Sequence, residues 1–289
     1  MRYGVVILPE SPWSSAQATW QRAEELGFDH AWTYDHLAWR TMRDEAWFGA
    51  IPVLTAAACA TSRIRLGTLV ASPNFRHPVP FAKELMTLDD ISGGRATLGI
   101  GSGGTGWDAT ILGGPPWPAA ERAERFDEFV AMADRLLRDR RLTYEGRWYQ
   151  ADGARAYPGC VQQPRLPFAI AATGPKGMRL AAAHGQTWIS LGDPARPTPQ
   201  GPGLVKEQMQ RLDDACLAIG RDPTTIDRLV LAGGPLLDSG LDSVDAFRDT
   251  AGGYEAIGVT DFVVHWPRPT EPFAADYDTF EEIANSISG

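Results

Sequence analysis

The chain of 289 residues is 44% hydrophobic and 22% charged, with a formal net charge of −9, ordinary proportions for a globular protein with a sizeable core. The acidic balance and the lack of any Lys/Arg block exclude the electrostatic footprint of a nucleic-acid binder or of a protein docked on an anionic membrane, leaving small molecules or proteins as partners. Cys59, Cys160 and Cys216 are odd in number and far apart, which argues against a disulfide framework or a zinc site and fits a reducing cytoplasm.

Short apolar, β-branched runs alternate with segments of helical period along the whole chain. RYGVVIL (2–8) opens as a strand; its apolar run, ended by Pro9, is too short for a signal peptide or a membrane span. A helix over 15–26 carries Trp20, Ala23 and Leu26 on one stripe and stops at Gly27. HAWTY (30–34) is a second strand, then come a loop and an apolar helix over 51–60. RLGTLV (65–70) precedes a Pro-rich loop and a helix over 80–91 that ends at Gly93 and Gly94. ATLGIG (96–101) is the fourth strand, and a long helix covers 118–138. Residues 142–167 break the rhythm and read as an irregular excursion able to hold a hairpin. The alternation resumes with FAIAA (168–172), a helix over 175–184, TWISLG (187–192), a helix over 204–219, RLVLAG (228–233), a helix over 243–256, DFVVHW (261–266) and a helix over 277–287. The Pro/Gly-rich stretch 193–203 is expected to be a mobile loop.

Eight successive strand and helix units, with no linker-like break, predict one domain over 1–289. Its architecture is a (β/α)8 TIM barrel with an excursion between the fourth helix and the fifth barrel strand. An open doubly wound sheet is the alternative. In a barrel, ligand-binding and catalytic groups come from the loops that follow the strands, which sets the positions to inspect.

After the second strand stand Asp35 and His36. An imidazole can give or take a proton near neutral pH, and a neighbouring carboxylate can orient it; equally, Asp35 can cap a turn and His36 can pack. Running out of the fourth strand, LGIGSGGTG (98–106) fits G-x-G-x-x-G in two registers, Gly99/Gly101/Gly104 and Gly101/Gly103/Gly106, but no helix follows at once and no acidic residue closes a second strand about twenty residues on. A dinucleotide fingerprint therefore fails. After the fifth barrel strand, Thr173 and Gly174 precede Pro175 at a first helical position, leaving free N–H groups suited to a phosphate, with Lys176 adding charge; Thr173 can also serve as a plain N-cap. His77 reads as a residue leading into a helix, His30 and His184 as structural, and His265 as either packed or near the pocket. Arg76 can meet an anionic ligand or pair on the surface. There is no H-E-x-x-H, no clustered carboxylate spacing and no G-x-S-x-G, so no metal is expected.

In order along the chain, LGTLVASPNFRHP, LDDISGGRATLGIGSGG and IAATGPKGMRLAAAHG resemble the bacterial-luciferase-like superfamily. The Asp-His pair and the AATGPKG turn are similar to its branch that uses the deazaflavin coenzyme F420, which includes methylenetetrahydromethanopterin reductases. The resemblance implies an F420-dependent oxidoreductase acting on a small organic substrate, with FMN as the alternative cofactor and an FMN monooxygenase or a non-catalytic flavin-binding barrel as alternative functions. It implies that Asp35 and His36 lie beside the reactive ring with His36 as proton shuttle, and that Leu69 and Val70 form a non-proline cis peptide behind the ring. It further implies that Gly101, Ser102 and Gly103 approach the ring and its polyol chain, and that Ala172, Thr173, Gly174, Pro175 and Lys176 hold the phosphate. Trp39 lies near a tryptophan position of sugar-phosphate-oxidising relatives, though one residue short of their spacing. Homodimers are common in the family. Dehydrogenase relatives carry a second acid/base glutamate where this chain has Gly104, so the expectation is a reductase acting on a C=C or C=N bond.

Overall fold

The computed structural model describes residues 1–193, 195–198, 200–234 and 236–287. Strands β1 (Arg2–Val6), β2 (His30–Thr33), β3 (Arg65–Thr68) and β4 (Ala96–Gly101) alternate with helices α1 (Trp13–Glu25), α2 (Ala50–Ala60) and α3 (Pro78–Ile91), and α4 (Ala119–Arg138) follows β4. A hairpin of β5 (Arg141–Glu145) and β6 (Gln150–Arg155) comes next. The alternation then continues through β7 (Phe168–Ala171), α5 (Pro175–His184), β8 (Thr187–Ser190), α6 (Pro202–Ala218), β9 (Asp227–Leu231), α7 (Val244–Glu255), β10 (Asp261–His265) and α8 (Tyr277–Ile287). All strands but β5 and β6 form a closed parallel barrel in the order β1-β10-β9-β8-β7-β4-β3-β2. This is the (β/α)8 barrel that the alternation predicts, and the excursion resolves into the antiparallel β5–β6 hairpin. Glu128 on α4 holds that hairpin by accepting from the backbone N–H groups of Trp148 and Tyr149, the latter at 2.7 Å.

Several boundaries shift. Helix α3 starts two residues earlier than the pattern suggests, because His77 caps it: its Nδ1 accepts from the N–H of Val79 at 3.2 Å, ahead of Pro78 in the first turn. Leu8, Tyr34 and Val70 lie beyond the regular strands, although the ladder runs one residue further through Leu69 N–H to Thr33 O at 2.8 Å. Pro194 and Pro199, within the loop expected at 193–203, lie outside the described residues. The Gln200 side chain spans that loop, accepting from Asp193 N–H and donating to Asp193 O.

The barrel interior shows how side-chain size sets closure. Trp32 points inward with Val6, Ala169, Ile189, Leu229 and Val263, and space for its indole comes from glycine: a Cβ at Gly67 would lie 2.4 Å from the indole. At Gly99 a Cβ would lie 1.8 Å from the carbonyl oxygen of Thr68. The end of the barrel away from the loops that follow the strands is closed by a polar relay. Trp32 Nε1 donates to His30 Nδ1 at 2.7 Å, leaving Nε2 to donate to Asp261 at 3.0 Å, and Arg2 grips the same carboxylate with two contacts of 2.7 Å. His30 is thus structural.

Candidate active site

The loops that follow the strands enclose a cavity of about 860 Å³, within the range of small-molecule and cofactor sites. Leu69, Val70, Gly101, Ser102, Gly103, Ala172, Thr173, Gly174, Pro175 and Lys176 all line it, together with His36, Trp39 and Gly104. Asp35 does not.

Asp35 and His36 are neighbours in sequence with different surroundings. Asp35, 1% exposed, receives Arg76 through two nitrogens at 2.7 and 3.0 Å, and Arg76 also reaches Glu84. This is a buried ion pair behind the cavity wall, so Arg76 meets Asp35 rather than an anionic ligand. His36 sits on the wall with its Nδ1 hydrogen-bonded to Oδ2 of Asp108. The carboxylate that orients the imidazole is therefore Asp108, not the adjacent Asp35. Asp108 is 6% exposed, and its other oxygen accepts from the N–H of Leu37 at 2.8 Å and of Ala38 at 3.4 Å. Carboxylate, imidazole and the two amides thus tie the loop after β2 to the loop after β4, and Nε2 is the ring nitrogen left for a ligand. Nothing in the local pattern around WDA marks Asp108, whose partner lies 72 residues earlier.

The Leu69–Val70 peptide is cis, at the place the resemblance implies. Gly103, at φ +74°, has a backbone conformation that suits glycine, and a Cβ there would strike the side chain of Asn74 at 2.5 Å. At Gly104 the space is open: an added Cβ would meet only a backbone nitrogen, at 3.9 Å. The N-cap of α5 is Gly174 rather than Thr173, and no side chain caps it. The first amides of α5 are therefore left to whatever occupies the cavity, and Lys176, about half exposed, stands beside them.

The opposite wall is aromatic. Trp39 stacks on Trp47 at 6.1 Å between centroids and lies 5.7 Å from Phe273. His265 is packed flat on Phe273 at 3.5 Å, and its Nε2 accepts from the Tyr34 hydroxyl at 2.6 Å. Burial drives the His265 pKa down to about 3, so the ring is neutral and acts as an acceptor; burial also pushes the Tyr34 phenol up. Among the described residues no three His, Cys, Asp or Glu side chains gather where they could hold a metal ion, and no helix is long and apolar enough to cross a membrane.

Comparison with known proteins adds two sequence relatives and one structure of similar fold. The chain is 39% identical over 170 residues to the F420-dependent glucose-6-phosphate dehydrogenase of Beutenbergia cavernae, covering 58% of this chain and 49% of that protein. It is 34% identical over 209 residues to 4-hydroxyprotoasukamycin monooxygenase of Streptomyces nodosus subsp. asukaensis, covering 71% and 53%. The fold matches the coenzyme F420-dependent tetrahydromethanopterin reductase from Methanopyrus kandleri with a TM-score of 0.78 at 20% identity, over 99% of this chain and 97% of that one. The chain spans about half the length of the curated relatives it matches. Residues 1–238 match the luciferase-like monooxygenase family, to which, with its barrel and cis Leu69–Val70 peptide, this chain belongs.

Proposed function

We propose that this protein is a coenzyme F420-dependent oxidoreductase that delivers hydride from the reduced deazaflavin to a C=C or C=N bond of a small organic acceptor. The observation that carries the reading is one proton shuttle, His36 held by Asp108, facing a cavity in which the Gly104 position carries no carboxylate. Oxidation of an alcohol with a separate acid and base needs two such groups, whereas reduction of an unsaturated bond needs one proton beside the hydride. Relatives named for F420 chemistry support the choice of cofactor.

The cavity suits the group. Side-chain-free backbone at Gly101 and Gly103 permits close approach of a flat ring above Leu69 and Val70. The uncapped amides of α5, with Ala172, Thr173, Gly174, Pro175 and Lys176, suit its phosphate. When bound, the deazaflavin supplies a hydride, moving its electrons as a pair where a flavin can pass them singly to oxygen. His36 then gives the proton from Nε2 to the acceptor and recovers it from water, its side chain being 31% exposed. Asp108 holds the ring by its Nδ1 so that Nε2 faces the cavity, and its carboxylate stabilises the imidazolium, the form in which Nε2 carries the proton to be given. Asp35 stabilises the wall through Arg76 and does not touch the ligand. Assembly as a homodimer belongs to the same proposal, and sedimentation equilibrium reads it.

The test is a titration of the purified protein with oxidised F420 and with FMN, followed by acceptor screening with reduced F420. Binding of F420, and oxidation of the reduced form that drops at least about 10²-fold in His36→Ala while binding persists, is expected. Tight FMN binding with oxygen consumption and no affinity for F420 would overturn the reading in favour of an FMN monooxygenase.

A further inference from the structure

The two sides of the cavity differ in the chemistry they offer. The sector above β3, β4 and β7 holds the glycine cradle, the uncapped α5 amides and Lys176. The sector above β8, β9, β10 and β2 is walled by Trp39, Leu191, Leu231, Leu236, Leu237 and Phe273. The Tyr34 hydroxyl donates to His265, and His265 is stacked beneath Phe273 and neutral.

Among the described cavity-lining residues of that sector, Arg40 is the one charged side chain, and it lies over the Trp39 ring at 5.2 Å on the exposed rim. A phosphate or sugar needs several converging donors, because its polar groups must recover in the site the hydrogen bonds that water gave them. Among the described side chains this sector offers Arg40, the Trp39 indole and, at its edge, His36 Nε2, and no further charged donor. It offers instead the apolar and aromatic area that stacks and desolvates a flat uncharged molecule.

We propose that the acceptor is an uncharged, largely apolar α,β-unsaturated carbonyl compound, its planar body lying against Trp39 and Phe273 and its double bond beside His36. This rests on the F420 reading above. In balance, reduced deazaflavin gives a hydride, carrying both electrons, to the β-carbon, and the π pair of the double bond moves onto the α-carbon and carbonyl. That enolate takes the proton from His36 Nε2 at the α-carbon. The products are the saturated carbonyl compound and the oxidised deazaflavin, whose remaining ring proton passes to solvent, and water reprotonates His36. Conjugation with the carbonyl activates the bond, so the apolar wall need not supply a charge.

The probes are 4-phenylbut-3-en-2-one with reduced F420, and glucose 6-phosphate with oxidised F420, both followed by deazaflavin absorbance. Quenching of tryptophan fluorescence by the enone is measured separately, without cofactor. Turnover of the enone and none of the sugar phosphate is expected. Leu191→Asp, at a position 40% exposed, is expected to raise the KM and the quenching Kd for the enone about tenfold or more, with F420 affinity unchanged. Phe273→Ala is a second variant expected to weaken enone binding. Oxidation of glucose 6-phosphate, or F420 binding with neither quenching nor turnover by the enone, would overturn the proposal. If F420 does not bind, the cofactor reading falls, and enone quenching with its loss in Leu191→Asp still decides the apolar subsite.

Discussion

At the scale of single residues, two carboxylates near one histidine have separate tasks. Asp35 is buried against Arg76, and Asp108 is bonded to His36. Asp35→Ala leaves a guanidinium that is 16% exposed with only the more exposed Glu84 as partner, and a loss of about 2–3 kcal/mol is expected because a buried charge stripped of its main partner is costly. Asp108→Asn retains an oxygen for the Leu37 amide but loses the charge on His36, so kcat is expected to fall about 10- to 100-fold, the range of a charge-assisted hydrogen bond, with stability changed by under about 1 kcal/mol. Denaturant melts and kcat on the two variants separate these effects; a stable, inactive Asp35→Ala would refute the assignment. The Asp35–His36 adjacency was legible in the sequence and pointed to the histidine that lines the cavity. It named the wrong carboxylate, because sequence neighbours need not share a direction and the true partner is brought in by barrel closure. The glycine and α5 positions were legible because small residues before a helix have a physical consequence wherever the chain goes.

At the scale of elements, the strands were readable because each is an apolar run bounded by Gly, Pro or a charged turn, and the barrel needs each of them buried on both faces. The hairpin was only half readable, since its alternation is shifted between Leu142 and Tyr144 and Gly153 interrupts β6. Boundaries moved where a cap or a tertiary contact, not periodicity, decided them, as at His77. Side-chain volume at the barrel seam supplies a sharper test. Gly99→Ala forces a methyl onto the backbone carbonyl of Thr68, and because backbone cannot rotate away, a cost of about 3 kcal/mol or more is expected. Gly104→Ala, in open space, is expected to change stability by less than about 0.5 kcal/mol. Chemical denaturation of both variants checks the contrast, and equal effects would mean that β3 and β4 yield more easily than their register allows.

At the scale of the molecule, His265 links β10 to Tyr34 and makes the fold sensitive to mild acid. The folded protein keeps this ring neutral down to about pH 3, whereas the unfolded chain protonates it near its ordinary value of 6.5. Unfolding therefore takes up a proton between these values, and the stabilisation present above pH 6.5 is lost as pH falls toward 3, by up to about 1.4 kcal/mol per pH unit. Asp134, held down to about 2 by His184 and Arg165 against its burial, contributes stability that is present above its ordinary value of 3.8 and is lost only as pH falls from there toward 2. Denaturation midpoints from pH 7 to 4.5 are expected to fall in the wild type and to flatten in His265→Gln, with a residual slope from His77, which burial also lowers. An unchanged slope would mean that His265 is protonated in the folded state. The barrel floor constrains history as well as stability. A side chain at Gly67 would strike both the Trp32 indole, at 2.4 Å, and the main-chain carbonyl oxygen of Thr97, at 2.8 Å, so shrinking Trp32 removes only the nearer obstacle and leaves the one that cannot rotate away. Gly99 faces main chain in the same way, the carbonyl oxygen of Thr68 at 1.8 Å, so descendants of this sequence can resize the side chain at position 32 but keep glycine at both 67 and 99.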